Sequence, residues 1–125
     1  MPYDFDIIGL VSEDSRIKEK VDPEVKEAFK EIFTGMQGRF TRLKIIKSLS
    51  EKPMNTHQLT LKLGKDYKGT QRNLKVLEKN NLIIKVGEKY GAVFYISPYL
   101  EANIKALDEV IKQVQKKLNT KKKYY

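Results

Sequence analysis

The sequence predicts a mainly helical α+β chain with one small β-hairpin. Apolar residues recur at intervals of three and four in five segments, which is the helical spacing. Two short runs, residues 82–86 and 92–96, are instead rich in β-branched and aromatic residues. A chain of 125 residues holds one compact domain with an appended helix, and not two independent cores.

The N-terminal part predicts one helix after an ambiguous start. Residues 7–11 (IIGLV) suit a short strand or a docked tail equally. Asp22 followed by Pro23 is a typical helix start, with an acceptor at the cap and proline at the first position. An apolar face follows before Gly35, formed by Val25, Phe29, Ile32 and Phe33. We expect this helix to pack on the rest of the domain or on a partner subunit.

A second helix is predicted from about Arg39. Phe40, Leu43, Ile46 and Leu49 recur every third residue, so they form a face that packs against the following segment. Lys52 and Pro53 end this helix.

Two short, capped helices come next. Asn55 and Gln58 form a capping box at the first helix start, and Gly64 ends that helix. Asp66 caps a second helix that runs to about Asn80. Two helices joined by three or four residues that include glycine have the spacing of a helix-turn-helix.

The second capped helix carries two stripes. Thr70, Leu74, Leu77 and Asn81 recur at intervals of four, three and four, which places Leu74 and Leu77 on one buried face. The opposite side is basic and polar, with Glu78 the one acid between positions 67 and 80. It comprises Lys68, Gln71, Arg72, Lys75 and Lys79. A lysine-rich solvated face is the alternative interpretation, but the position in the motif favours a binding face.

The hairpin follows that helix directly. Glycines at positions 87 and 91 bound its turn, and the hairpin is expected to lie beside the basic helix. Lys85, Lys89 and Tyr90 would then reach phosphate or the minor groove of a duplex. A hairpin that only covers the core is the alternative.

Charge is concentrated on the same region. Residues 1–35 hold 5 basic and 9 acidic groups, residues 36–98 hold 13 and 4, and residues 99–125 hold 7 and 3. A cationic region of this kind favours a polyanionic partner, because neutralised phosphates release counterions. Charge alone does not separate DNA from RNA.

The C-terminal segment predicts a long amphipathic helix after Ser97 and Pro98. Its apolar residues step by four and three over three heptads, with isoleucine mostly at a and leucine mostly at d. They are Leu100, Ile104, Leu107, Ile111, Val114 and Leu118. We expect two copies of this helix to form a two-stranded coiled coil in a homodimer. The pattern does not distinguish a parallel from an antiparallel pair. The alternative, which Val110 supports, is that this stripe packs on its own domain.

The central segment resembles a known family. Residues 63–83 (LGKDYKGTQRNLKVLEKNNLI) are similar to the recognition segment of ArsR-like winged-helix regulators, particularly archaeal members, and residues 90–97 (YGAVFYIS) to their second wing strand. The resemblance covers about residues 40–98. It implies a winged helix-turn-helix fold and a dimeric transcription regulator. Gly69 and Asn73 depart from the family, which more often has a β-branched residue or Ser, and His, there.

Other chemistries have little support. The chain has no cysteine and one histidine, His57, so the clustered ligands of metal-sensing relatives are missing, and no cofactor or metal is expected. No serine lies in a nucleophile elbow and no phosphate-binding glycine loop is present, so no enzyme is predicted. No apolar run approaches the ~18 residues of a membrane span. We expect a cytoplasmic protein.

These observations predict four segments and one function. The segments are an acidic stretch (1–35), a winged helix-turn-helix domain (36–98), a heptad-bearing helix (99–119) and a disordered basic tail (120–125). The expected function is sequence-specific binding of double-stranded DNA by a homodimer. The candidate DNA-binding residues are Thr56, His57, Lys68, Thr70, Gln71, Arg72, Lys75, Lys79, Lys85, Lys89 and Tyr90. A winged-helix adaptor for protein or RNA, with Tyr90, Phe94 and Tyr95 as contacts, is the alternative. A small-molecule effector between the long helix and the N-terminal segment is left open.

Overall fold

The computed structural model describes residues 20–34, 39–64 and 66–122. The expectations for residues 1–19, including the apolar run at 7–11, lie outside them. The elements in chain order are α1 (Pro23–Thr34), α2 (Arg39–Glu51), β1 (Met54–Asn55), α3 (Thr56–Leu63), α4 (Tyr67–Lys79), β2 (Ile83–Val86), a 3₁₀ turn (Lys89–Gly91), β3 (Val93–Ile96), α5 (Pro98–Ala102) and α6 (Ile104–Lys122).

The caps of α3 and α4 confirm the predicted helix starts. The Asn55 side chain accepts from the Gln58 backbone N–H at 2.8 Å, and the Gln58 side chain accepts from the Asn55 N–H at 2.8 Å. Gly64 ends α3 in the left-handed region, with φ of 65°, where glycine carries no steric penalty. The Asp66 carboxylate accepts from the backbone N–H of Gly69 at 2.9 Å and starts α4.

Helix α4 ends in a Schellman motif that moves Asn81 off the helix. The N–H of Leu82 donates to the carbonyl of Leu77 at 3.0 Å, and that of Asn81 donates to Glu78 at 3.0 Å. Asn81 has φ of 62° and is exposed. The expected extension of the buried stripe to Asn81 is therefore wrong, because the helix has already reversed.

The three strands form one antiparallel sheet in the order β1, β3, β2. The predicted hairpin is confirmed, with Ile84 opposite Tyr95 and Val86 opposite Val93. The sequence did not indicate β1, whose two residues pair with Phe94 and Val93. This third strand attaches the start of the helix-turn-helix to the hairpin, so the two parts of the motif share a sheet.

One hydrophobic cluster joins these elements, with α2 at its centre. Helix α2 contacts α1, α3, α4 and β3. Its buried residues include Leu43, Ile46 and Leu49, as predicted, together with Ile45. Ile45 was outside the three-residue spacing, and it is buried because α2 is covered on more than one side. The same cluster contains Phe29, Ile32 and Phe33 of α1.

The C-terminal segment is two helices and not one. The chain turns at Asn103, whose side-chain amide donates to the Tyr99 carbonyl at 2.9 Å. The backbone carbonyl of Asn103 accepts from Ala106 at 3.0 Å and starts α6. The prediction of one continuous helix is thus wrong at Asn103. Helix α6 also continues through Lys122, beyond the predicted boundary, so the expected disordered tail is corrected for residues 120–122.

The predicted coiled-coil stripe lies in the core of its own chain. Five of its residues are at most 6% exposed in the single chain, and α6 packs directly on α1. They are Leu100, Ile104, Leu107, Ile111 and Val114. The prediction of a coiled-coil interface between two subunits at these residues is therefore wrong, because other residues of the same chain already cover them. The side chain of Leu118 lies outside the described part. Across the same contact, the Lys26 ammonium donates to Glu109 at 2.9 Å.

Candidate nucleic-acid interface

The outer face of α4 is a row of exposed cations. Lys68, Arg72, Lys75 and Lys79 are all exposed, whereas Leu74 and Leu77 on the opposite side are buried in the core. Because Leu74 and Leu77 fix which way the helix faces, the cationic residues, called here the basic stripe, point away from the protein.

The basic stripe has no acidic partner among the described residues. Some lysines elsewhere in the described part do have one: Lys26 pairs with Glu109, Lys62 with Glu51 and Lys112 with Asp108. No member of the stripe forms such a pair, although Glu78 is on the same helix. With no acidic partner in residues 20–34, 39–64 and 66–122, these four positive charges on one helix face can bind an external anion.

A groove separates α4 from the hairpin. Tyr67, Gln71 and Glu78 of α4 face it, since their spacings of four and seven residues, about one and two turns, keep them on the side of the helix next to β2. Lys85 and Lys89 enter from the hairpin, and the buried residues Leu74, Ala92 and Phe94 form the floor. The groove has a volume of about 220 Å³ and also includes Thr56 and Lys75. The structure thus brings predicted residues of the helix and the hairpin to one surface.

The start of α3 lies at the edge of this surface. Thr56 lines the groove and is half-buried, while His57 is exposed. Helix α3 is held to the end of α2 by the Lys62 ammonium, which donates to Glu51 at 3.0 Å. This hydrogen bond and the charge of Lys62 lower the pKa of the Glu51 carboxyl from its ordinary value.

Thr70 is a correction to the predicted site. Its side chain is fully buried, and its hydroxyl donates to the Asp66 carbonyl at 2.9 Å. It therefore faces the core one turn after the cap and does not reach a ligand outside. The side chain of Tyr90 lies outside the described part, so its assignment stays a prediction.

Arg42 and Asn73 are functional candidates that the sequence did not reveal. Arg42 Nε donates to Asn73 Oδ1 at 3.1 Å, and Arg42 Nη1 donates to the Ile32 carbonyl at 2.7 Å. Asn73 Nδ2 donates in turn to the Gly69 carbonyl at 3.0 Å. In the sequence, Arg42 was only one of the 13 basic residues of segment 36–98. Its partners are 31 and 10 positions away, so no local spacing indicates them.

The outer face of the sheet is apolar and exposed. Ile84, Val86 and Tyr95 are 43%, 55% and 39% exposed, and the strand register places them on the face opposite to buried Phe94. Phe94 is 5% exposed, so its expected role in stacking on bases or on a partner is wrong. Tyr95 keeps the geometry for such a contact.

Comparison with known proteins identifies the central segment. Residues 40–85, which run from α2 into β2, match the family model described as "Bacterial regulatory protein, arsR family". This segment is similar to the helix-turn-helix region of the ArsR family. It contains α3, α4 and the basic stripe, so the resemblance seen in the sequence is confirmed for this part of the chain. No match was found among curated protein sequences.

Solved structures extend the similarity beyond the ArsR-family region to the fold of the chain. The transcriptional regulator BldR from Sulfolobus solfataricus superposes with a TM-score of 0.55 at 15% identity, over 78% of this chain and 70% of BldR. Staphylococcus aureus MarR in complex with salicylate and kanamycin gives a TM-score of 0.54 at 15% identity, over 82% of this chain and 67% of MarR. The chain therefore has the winged-helix fold that was predicted.

The described residues provide neither a membrane-spanning helix nor a metal-ligating cluster. Within residues 20–34, 39–64 and 66–122, no helix is both long enough and apolar enough to cross a bilayer. The same residues contain no cluster of three or more metal-ligating side chains.

Proposed function

We propose that this chain binds double-stranded DNA with sequence preference and regulates transcription. The observation that carries the proposal is the basic stripe on the second helix of an ArsR-family helix-turn-helix region, exposed and without acidic partners among the described residues. In this motif the second helix enters the major groove. The stripe supplies the donors that phosphates and guanine edges accept.

The proposed contacts divide by role. Arg72 reads a base, because its fork of donors matches the O6 and N7 acceptors of guanine. Lys68, Gln71, Lys75 and Lys79 bind beside it in the groove of the duplex. The exposed start of α3, at Thr56 and His57, approaches phosphate with its free N–H groups. Lys85, Lys89 and Tyr90 of the hairpin contact the backbone or the minor groove.

The roles of Arg72 and Lys89 are separable by titration. We expect Arg72→Ala to lose ~1 to 3 kcal/mol of discrimination between a selected duplex and a random one. Lys89→Ala is expected to weaken binding to both duplexes alike and to reduce the salt slope by about one. Fluorescence anisotropy with both duplexes at several salt concentrations measures both effects.

Lys44→Ala is the matched control. Lys44 is exposed on α2, outside α3, α4 and the hairpin, and its loss changes the net charge by the same amount. It is expected to leave the ratio of affinities for the two duplexes unchanged. Equal losses on both duplexes for Arg72→Ala would contradict its assignment to base recognition.

We further propose that the binding species is a homodimer. Two copies of α4 read two half-sites one or two helical turns apart, so the bound sequence is palindromic. The buried stripe of α5 and α6 is not the interface in this proposal. We place the dimer interface at the part of α6 beyond Val114, because α6 has 19 residues and is longer than α1, which packs on it and has 12. At 1.5 Å per residue the difference is about 10 Å.

The exposed sheet face favours one second candidate, an adaptor that binds protein or RNA. Ile84, Val86 and Tyr95 form an apolar surface beside the groove, and aromatic residues on a sheet stack on unpaired bases. Competition between duplex DNA, single strands and structured RNA decides between the two functions. Tyr95→Ala is expected to leave duplex binding unchanged if DNA is the ligand, and to weaken binding severalfold if an unpaired strand is.

A further inference from the structure

We infer that Arg42 is a positioning residue that sets the orientation of α4 relative to α1. Its effect on DNA recognition rests on the function proposed above, whereas its effect on helix orientation does not. Arg42 lies on α2 between the two helices and is half-buried. It binds no ligand in this proposal, and acts through Asn73.

One guanidinium bonds to two elements at once. Arg42 donates to the backbone of α1 at Ile32, at 2.7 Å, and to the Asn73 side chain of α4, at 3.1 Å. A planar fork with donors in several fixed directions suits two acceptors on different helices. A lysine at the same position has one nitrogen at the end of a flexible chain, so it does not reproduce this geometry.

The contact at α1 is made where that helix needs a donor. Ile32 is in the last turn of α1, whose carbonyls have no partner in the helix. A positive charge at this end also interacts favourably with the helix dipole. No basic residue of α1 itself is in that turn. Arg42 thus supplies, from α2, a charged donor to the last turn of α1.

The contact at α4 fixes the rotation of that helix. Asn73 is adjacent to Arg72, and its amide is bound at both ends, by Arg42 and by the Gly69 carbonyl one turn earlier. Arg72 and Asn73 are on the same helix, about 100° apart around its axis, so they turn together. A rotation of α4 that moves Arg72 from one base pair to the next therefore also breaks the bond between Asn73 and Arg42. The same bond therefore adds a directional polar constraint to the facing of the basic stripe, which the packing of Leu74 and Leu77 sets in the first place.

The arrangement links the C-terminal helix to the DNA-facing helix. Helix α6 packs on α1 and is joined to it by the pair of Lys26 and Glu109. Arg42 joins α1 to α4. A shift of α1 together with α6 is therefore transmitted to α4 through the hydrogen bonds of the Arg42 side chain.

Arg42→Lys tests this inference because it keeps the charge and removes the fork. We expect cooperative unfolding and the affinity for random duplex, with its salt slope, to stay as in the unmodified chain. The affinity ratio of selected to random duplex is expected to fall about tenfold, the factor for one charge-assisted hydrogen bond. Asn73→Ala removes the Arg42 contact on α4, together with the bond to the Gly69 carbonyl, and keeps the contact of Arg42 with α1. It is expected to give the same fall and is the second variant should Arg42→Lys not fold.

A distance measurement without DNA completes the test. The chain has no cysteine, so Ala28→Cys on α1 and Lys79→Cys on α4, both exposed positions, carry two spin labels at unique sites. Arg42→Lys is expected to broaden the distance distribution between them. Lys44→Arg, on the exposed side of α2, is the control and is expected to leave the distribution unchanged.

The outcomes are distinct. An unchanged distribution with an unchanged duplex ratio overturns the inference and leaves Arg42 a stabilising residue only. Equal weakening on both duplexes with a changed salt slope overturns it in favour of a direct phosphate contact. Should the unmodified chain show no preference for any duplex, the proposed function fails, and the label distances alone decide the role of Arg42.

Discussion

At the scale of single residues, Gly69 is explained by the cap beside it. A Cβ built at Gly69 would collide with the carboxylate oxygen of Asp66 that accepts from the Gly69 N–H. It would also lie 3.8 Å from Nη2 of Arg72. Glycine therefore lets the Asp66 cap stay close to the helix, whereas the distance to Arg72 is an ordinary van der Waals contact. The departure from the family pattern at this position has a local steric cause.

This explanation predicts that substitutions at Asp66 and Gly69 are coupled. Asp66→Ala is expected to cost about 1 kcal/mol of unfolding free energy through the lost cap. Gly69→Ala is expected to stabilise the Asp66→Ala protein by about 0.5 to 1 kcal/mol through helix propensity, and to stabilise the unmodified protein by less. Urea denaturation of the four proteins gives the coupling energy, and strict additivity would contradict the steric account.

Residue roles were predictable where the signal is local. Asn55, Asp66 and Gly64 act within three or four positions of themselves, so the sequence indicated their roles. Thr70 was assigned to the DNA-binding set although it belongs to the same stripe as Leu74, and the structure buries it with that stripe. Arg42 was missed because its partners are on other helices, and only the folded chain brings them together.

At the scale of elements, the strands and helices were predictable and their contacts were not. Periodicity and caps gave α1 to α4 and the hairpin, because both are properties of consecutive residues. Strand β1 has two residues, and its pairing with β3 is a contact over some forty positions. The turn at Asn103 interrupts a heptad pattern that is unbroken in the sequence, since Asn103 is a polar residue between two apolar ones.

At Lys89, in the turn of the hairpin, one substitution is expected to change the unfolding free energy and the DNA affinity in opposite directions. Its φ of 52° is in the left-handed region, which costs a non-glycine residue roughly 1 kcal/mol. Lys89→Gly is therefore expected to raise the unfolding free energy by up to about 1 kcal/mol while it weakens DNA binding as Lys89→Ala does. Thermal unfolding and anisotropy on the same samples measure both. A Lys89→Gly protein that binds as tightly as the unmodified one would exclude Lys89 from the interface.

At the scale of the whole molecule, the C-terminal stripe shows what periodicity leaves open. A step of four and three specifies an apolar helix face, and α1 provides its cover within one chain as well as a second helix would between two. The burial of Val110 beside the stripe favours the intrachain cover, because it widens the face beyond a two-stranded seam. The proposed homodimer therefore depends on other residues.

The proposed interface beyond Val114 has a direct test. Leu118→Glu is expected to convert a dimer to a monomer in analytical ultracentrifugation, with helix content by circular dichroism unchanged. Gln113→Glu, at an exposed position of α6, adds the same charge and is expected to leave the dimer intact. A dimer that persists in Leu118→Glu, or an unmodified chain that is monomeric, would rule out this interface.

The central claim is that the basic stripe and the hairpin together form a surface that binds duplex DNA. Chemical-shift mapping of the isotope-labelled chain with a duplex selected from a random pool tests it most directly. We expect the largest shifts at the backbone amides of α4 near Lys68, Arg72 and Lys75 and in the turn at residues 87–91, with salt-dependent affinity. Shifts confined to the outer sheet face at Ile84, Val86 and Tyr95, or to α1 and α6, would contradict it.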